Sequence, residues 1–471
     1  MVGSFPCSGG RRQVPVVEAD DVDPSIATDR NNITQASRLE QAPALSRTAF
    51  AEKLDEWVRD AARYENRATA RDRMMACFDA QLNDPSSVDA LSLDLSLLDL
   101  RTVPPEIGQL VNLTTLQLAN NRFESVPPEI FRLVNLNTLD LSENELQSVP
   151  PEIGQLVNLT TLKLAYNRLE SLPPDFGQLV NLTALKLANN LFESVPPEIF
   201  RLVNLNTLDL SENELQSVPP EIGRLVNLTD LDLCSNRLQS LPPEIGKLVN
   251  LAIFYISRNQ LQSLPPEIGK LVKLASFYIS GNQLQSVPPE IGKLVKLTDF
   301  GLAGNQLQSV PPEMGLLVNL TTLILADNHF QSMPPEIFRL IDLKKLSLSD
   351  NQLQSLPPEI CELVNLTELY LYNNQLQSLP GSIVDLPATC AIFLGNNPLP
   401  PTVIEQLGNA IRQRRASDPT RGPRIDHTMA AGPAPVARPL SEEVAAWRTE
   451  GGRPCSPDEM AHWQTATTGV A

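Results

Sequence analysis

One period governs this chain. The unit LxxLxLxxNxLxSLPPEIGxLVN is 23 residues long. Its asparagine returns at Asn121, Asn144, Asn167, Asn190, Asn213, Asn236, Asn259, Asn282, Asn305, Asn328, Asn351, Asn374 and Asn397, with no insertion or deletion. An earlier unit is in phase through Leu93, Leu95 and Leu100, with Leu98 where the asparagine would stand, so the array holds about 14 units over residues 90–411. A fixed period of this size marks a chain that stacks one supersecondary unit on the next.

The spacing assigns a task to each part of the unit. In LTTLQLANN, Leu116 and Leu118 stand two apart and point to one side of a short strand. Strands of successive units then stack into one parallel sheet. The asparagine suits the turn that leaves the strand, where its side chain bonds backbone groups and tolerates unusual dihedrals. Repeated in every unit, it predicts an asparagine ladder. PPEIGQLVNL makes the return: Pro128 has no N–H to donate and Glu129 suits the positive end of a short helical turn. Ile130, Leu133 and Leu136 then close the core. No unit buries its apolar face alone, so stability comes from neighbours. The pattern is that of a leucine-rich-repeat solenoid, an α/β fold.

A stack has two open ends. Phe50, Leu54, Trp57, Ala61, Tyr64, Ala68, Met75 and Phe78 recur mostly at spacings of three and four, an amphipathic stripe on one helix or two. It reads as a cap over the first strand; a partner-binding helix is the alternative. PLPPTVIEQLGNAIRQRR, residues 398–415, reads as a closing helix. Residues 1–45 and 416–437 are polar, aperiodic and rich in Pro, Gly, Ala or Asp, a composition expected to stay disordered. One stretch, FESVPPEIFRLVNLNTLDLSENELQSVPPEIG, occurs twice, at Phe123 and Phe192, which looks like duplication of a three-unit block.

The net charge of −18 argues against nucleic acid and against an anionic membrane surface as partners. No apolar run approaches the ~18 residues of a membrane span. The N-terminus has no apolar core of signal-peptide type. Six cysteines, at 7, 77, 234, 361, 390 and 455, form no CxxC pair, so neither a disulfide framework nor a zinc site is indicated, and a reducing compartment fits. The six NLT triplets are one repeat position copied, not glycosylation signals. Three histidines and the lack of a phosphate-cradling motif leave the repeats without a catalytic set, metal or cofactor.

A ligand would meet the strand side chains that point away from the core. The middle position of each strand reads Asp94, Gln117, Asp140, Lys163, Lys186, Asp209, Asp232, Tyr255, Tyr278, Gly301, Ile324, Ser347, Tyr370 and Phe393. Asp140, Glu143, Asp209, Glu212, Asp230 and Asp232 predict an acidic stretch. Tyr255, Tyr278, Tyr370, Tyr372 and Phe393 put rings on a usually polar face. Aromatic rings are enriched at binding hot spots, and a basic or mixed-charge protein would suit the acids. The alternative is that a solvated sheet tolerates a few tyrosines.

The flanks add a resemblance. DEWVRDAARYENRATARDRMMACF precedes the repeats; SDPTRGPRIDHTM and then RPLSEEVAAW follow them. In this order they resemble bacterial leucine-rich-repeat effectors carrying a novel E3 ubiquitin ligase (NEL) domain. The matching residues are Trp57, Glu65-Asn66-Arg67, Gly422-Pro423-Arg424-Ile425, Pro439-Leu440 and Val444 with Trp447; Trp463 corresponds to a second early tryptophan of that domain. The resemblance implies injection into a host cell by type III secretion, residence in the producing cell's cytoplasm before export and in the host cytoplasm after it, and a host protein held on the concave face. A ubiquitin-conjugating enzyme would be a partner only if a ligase half exists. The family's nucleophile stands in a C-x-D motif absent here: Cys455 in GGRPCSPDEM has its nearest acid at Asp458 and reads as an incidental thiol. No catalytic residue is therefore assigned. The 23-residue repeat also departs from the family's shorter units and resembles an intracellular Ras-binding class. The expected division is a secretion-type tail over 1–45, a helical cap over 46–85, repeats over 86–411, a linker over 412–437 and the truncated start of a ligase-like domain over 438–471. Two other functions stay open: ubiquitin transfer with a residual or separately encoded catalytic region, and a plain intracellular scaffold.

Overall fold

A computed structural model describes residues 45–83 and 91–427. The expected tail before residue 45, the ligase-like start over 438–471 and Cys455 lie outside the described residues. Among the described residues, fifteen strands form one sheet in chain order, β1 (Leu91–Asp94) to β15 (Arg424–Asp426), and every neighbouring pair is parallel. The ones that matter below are β3 (Thr138–Asp140), β4 (Thr161–Lys163), β5 (Ala184–Lys186), β6 (Thr207–Asp209), β7 (Asp230–Asp232), β8 (Ile253–Tyr255), β9 (Ser276–Tyr278), β10 (Asp299–Gly301), β11 (Thr322–Ile324), β12 (Lys345–Ser347), β13 (Glu368–Tyr370) and β14 (Ala391–Phe393).

Each return runs through a five-residue 3-10 turn such as Pro151–Gln155, begun by proline and carrying an acid in its first turn, except the last, Gly381–Asp385, which begins with glycine and has no acid there. Between sheet and turns the leucines are closed off completely, Leu116, Leu118, Ile130, Leu133 and Leu136 among them. Three phenylalanines take leucine positions inside this core and stack: Phe254 on Phe277 at 5.4 Å and Phe277 on Phe300 at 5.5 Å between ring centroids. The turns themselves touch across repeats. A Cβ on Gly292 would come within 2.5 Å of the Glu313 carbonyl oxygen, so only glycine permits that approach.

The asparagines form a continuous hydrogen-bonded ladder. Asn236 is typical: its Oδ1 accepts the Leu215 amide at 3.0 Å, and its Nδ2 donates to the carbonyls of Leu210 at 3.0 Å and Leu233 at 3.2 Å. Each ladder amide thus ties its own turn to the one before. The left-handed backbone is not at these asparagines, as the sequence suggests, but one residue earlier: Asn120, Glu143, Tyr166 and Asn189 have φ between 51° and 56°. Position, rather than the asparagine's tolerance, sets the strain.

Helices α1 (Arg47–Arg59) and α2 (Arg67–Asn83) pack together through Phe50 and Phe78, stacked at 4.0 Å. The stripe is broken between them, and its phase resets. Tyr64 and Ala68 are exposed, while Ala70 and Met74 are buried instead. Arg73 donates to the Asp94 carbonyl, and Gln81 exchanges hydrogen bonds with the Gln109 carbonyl and the Asn112 amide. These bonds fill the open edge that β1 would otherwise show to water.

The other end corrects the expected linker. Residues 412–417 complete α3 (Pro401–Ser417), and the chain then returns to the sheet. Gly422 takes φ 90°, Arg415 donates to the Gly422 and Pro423 carbonyls at 2.7 and 3.0 Å, and Ile425 pairs in register with Ile392. Residues 424–426 escaped the sequence reading because one strand without the LxxLxL pattern has no period to announce it.

Candidate protein-recognition face

Side chains at the middle of each strand point out on the side opposite the core. The structure divides them into three zones. In the first, the acids are largely engaged within the sheet. Asp140 on β3 pairs with Lys163 on β4 at 3.0 Å and accepts the Ser142 amide. Lys186 on β5 follows, and only then Asp209 and Asp232, adjacent in register on β6 and β7. Asp209 accepts from both the amide and the hydroxyl of Ser211, and Asp232 from the Cys234 amide. Glu143 and Glu212 accept from Asn120 and Asn189. The expected acidic stretch is therefore interrupted by two lysines, and its concentrated part is Asp209, Asp230 and Asp232.

The aromatic residues form two clusters rather than one stripe. Tyr255 and Tyr278, on β8 and β9, meet edge to face at 5.5 Å between centroids. Tyr370 on β13 stacks on Phe393 of β14 at 4.7 Å and meets Tyr372 edge-on at 6.5 Å. All five rings are half-buried. Four strand steps of ~4.8 Å put the clusters ~19 Å apart.

Between them lies a zone that reading residue by residue missed. Gly301, Ile324 and Ser347 occupy the middle positions of β10, β11 and β12, and Ala303, Ala326 and Ser349 follow two residues on. The signal was in the sequence as a run of small residues over three repeats. The Tyr278 ring lies over Gly301, leaving no room for a side chain there, and packs on the cluster of Ala303, Ile324 and Ala326. On the rim, burial pushes the Asp350 carboxyl up, against the hydrogen bond from Asn373, and Asp327 adds to the rise.

No group of three or more metal-ligating side chains occurs among the described residues. No described helix is long and apolar enough to cross a membrane. Burial pushes the Cys390 thiol up to about 12 and raises that of Cys77, so neither is an activated nucleophile.

The family model for leucine-rich repeats matches residues 111–169, 134–192, 180–225, 226–284, 318–362 and 341–399. A leucine-rich-repeat protein of Leptospira interrogans has a similar structure, 35% identical, with TM-score 0.61, over 74% of this chain and 98% of that one. An internalin of Listeria monocytogenes, at 20% identity and TM-score 0.59, covers 73% of this chain and 93% of its own. The leucine-rich effector protein YopM of Yersinia pestis, at 22% identity and TM-score 0.57, covers 81% of this chain and 100% of its own. The last two show the fold alone. No curated protein matches the chain. Over half of its length follows the repeat model, its strands and returns have the repeat's geometry, and the chain belongs to the leucine-rich repeat family.

Proposed function

We propose that this chain is a protein-recognition module and that Tyr255 and Tyr278, beside Asp209 and Asp232, form the centre of its binding face. The observation that carries this is the edge-to-face tyrosine pair on an outward sheet face whose neighbouring strands carry charges. Rings held by each other lose little side-chain entropy on binding, and tyrosine anchors dominate many interfaces. The adjacent carboxylates favour a basic or mixed-charge protein. The test captures partners on the full chain and measures the best of them against purified variants. Tyr255→Ala and Tyr278→Ala are expected to weaken binding by roughly 30-fold, the size of a ~2 kcal/mol hot spot. Arg201→Ala, on the opposite side of the solenoid, is expected to leave it unchanged. Equal affinities for all variants would refute the reading.

A second reading is favoured by the order of the flanking motifs, Trp57, Glu65-Asn66-Arg67, Gly422-Pro423-Arg424-Ile425 and Val444 with Trp447. In it the chain is the recognition part of a NEL-type effector, delivered by type III secretion to the host cytoplasm, with a host protein as ligand. Its enzymatic form predicts discharge of a ubiquitin-charged conjugating enzyme that is lost in Cys455→Ala. Absence of discharge leaves the binding module.

A further inference from the structure

The return side of the solenoid carries an ordered surface of its own. The last residue of each 3-10 turn is exposed there, and four successive repeats read Arg224, Lys247, Lys270 and Lys293. Across the gap that Phe200 opens before this row stands Arg201, whose stem lies over Gly177 of the turn before. Leu316 ends the row on the other side. Two residues after each cation comes a valine. Val226, Val249, Val272 and Val295 are each 43% to 48% exposed, and their ridge runs on into Leu316 and Val318. Beyond the valines, Lys273 and Lys296 take the position at which Asn250 and Asn319 donate to the valine carbonyl of the preceding repeat, at 2.9 and 2.6 Å. Lys273 donates to Asn250 Oδ1 instead. Asparagine rungs of a surface ladder thus give way to cations at these two positions. Among the described residues none of these six cations forms an ion pair, a local exception in a chain of net charge −18.

We propose that this surface binds a partner protein through an amphipathic helix, with an acidic stripe on the cations and an adjoining apolar stripe on the valines. Spacing selects a helix. Repeats advance by about one strand step of ~4.8 Å, so three steps carry the row ~14 Å. A helix with one acid per turn advances ~5.4 Å each time, or ~16 Å over three turns. Flexible lysine stems absorb that mismatch of ~2 Å. An extended strand brings an acid to one face only every ~6.7 Å, or ~20 Å over three steps, and misses by ~6 Å. Width selects against flat anionic surfaces. Glu221, Glu244, Glu267 and Glu290 stand three residues before the cations in the same turns, on the side away from the valines. A membrane or a nucleic acid meets both rows, whereas a helix ~10–12 Å across lies over cations and valines alone. Screening keeps the attraction local: the Debye length is about 8 Å at physiological ionic strength, so the partner meets the row rather than the total charge of the chain. Lys273 and Lys296, on the far side of the ridge, meet acids on the helix's other flank.

Fluorescence anisotropy on the full chain tests this with a labelled synthetic peptide of three heptads. It carries leucine at positions a and d, glutamate at b and e, and alanine or glutamine elsewhere, so that the two stripes adjoin and glutamate recurs once per turn. The parent chain is expected to bind it at physiological ionic strength, and to bind a scrambled peptide of the same composition at least roughly tenfold more weakly. Lys270→Glu with Lys293→Glu is expected to weaken binding roughly tenfold, and Val272→Asn roughly fivefold. Arg132→Glu with Arg339→Glu makes the same change of charge at the same turn position outside the row, and is expected to leave the affinity unchanged. Lys270→Gln with Lys293→Gln should give an intermediate loss, and thermal unfolding of each variant checks that it is folded. No binding of the peptide by the parent chain would overturn the proposal. So would equal losses in the two glutamate double variants, or equal binding of the scrambled peptide. Binding to phosphatidylserine vesicles that is lost in Lys270→Glu with Lys293→Glu would also overturn it, by assigning the surface to a membrane. The tyrosine face takes no part in this assay, so its outcome and that of Tyr255→Ala stand apart.

Discussion

The ladder asparagines make a quantitative prediction, and Asn236→Ala is the cleanest test. The side chain is buried, with its Oδ1 accepting the Leu215 amide at 3.0 Å. Its Nδ2 faces Leu210 O at 3.0 Å and Leu233 O and Cys234 O, both at 3.2 Å. Two N–H donors and one acceptor disappear together. At about 1 kcal/mol net each they amount to ~3 kcal/mol, and the orphaned Leu215 N–H adds roughly 1–2 kcal/mol, for a total of ~4–5 kcal/mol. Asn227 in the same repeat supplies the control. Its Nδ2 donates to Val203 O at 2.9 Å from an exposed position, where water replaces it, so Asn227→Ala is expected to cost ~0.5 kcal/mol or less. Both variants would be compared by urea unfolding and by native-state hydrogen exchange. Because each repeat contacts only its neighbours, lost protection in Asn236→Ala should centre on residues 210–238 and fade towards both ends. Costs for the two variants equal within 0.5 kcal/mol, or protection lost uniformly along the array, would refute the account of the ladder as the tie between turns.

Gly292→Ala is expected to destabilise by ~1–3 kcal/mol in thermal unfolding, since its Cβ meets the Glu313 carbonyl at 2.5 Å, whereas Gly381→Ala, with nothing within 4 Å, should be near neutral. Burial would by itself push the Glu65 carboxyl up, but the amides of Arg101 and Ala62 and the charge of Arg67 outweigh it and hold it below the usual range. Its contribution is present above the unfolded value of ~4.3 and is lost as the pH falls through the lower folded value. Emission from Trp57, under the Arg67 guanidinium at 4.9 Å, followed with Trp447 and Trp463 replaced by Phe, should report cap loosening below pH ~4 in the parent chain. The same transition should be absent in Glu65→Gln. Cys390, with its thiol pushed up to about 12, should resist alkylation at neutral pH until the chain unfolds; rapid labelling of the folded protein would contradict its burial.

The period made the solenoid legible because it repeats one packing solution. Leu116 and Leu118, Ile130 and Leu133 each sit where the spacing puts them. What the period could not reveal is whatever happens once. β15 is a single strand with no partner in the pattern. The left-handed residue belongs to the position before the asparagine, filled by Asn120, Glu143 or Tyr166 alike, so no residue type marks it. On the binding face, alternation told which side chains point outward, but not which are already engaged. Asp140 looked like a ligand contact and is bonded to Lys163, while Gly301, a blank in the sequence, makes room for the Tyr278 ring. Phe131, Phe200 and Phe338 stand where other returns have glycine, and there the next 3-10 turn stands off from its neighbour. That consequence depends on neighbouring turns, which a single repeat does not contain.

The motifs behind the ligase resemblance acquire a different meaning from their contacts. Glu65 accepts the amides of Ala62 and Arg101, Arg67 binds both Glu65 and the Trp57 carbonyl, and the Asn66 amide donates to Leu98 O. Trp57 and Glu65-Asn66-Arg67 are thus the joint between cap and first repeat. Gly422-Pro423-Arg424-Ile425 is the turn and strand that finish the sheet at its other end. In this chain those contacts give the residues a task that does not depend on a catalytic domain. Pro439-Leu440, Val444 with Trp447, and Trp463 lie outside the described residues. Ubiquitin discharge that requires Cys455 would assign the chain beyond the solenoid to catalysis; its absence leaves these motifs as parts of the solenoid's two closures.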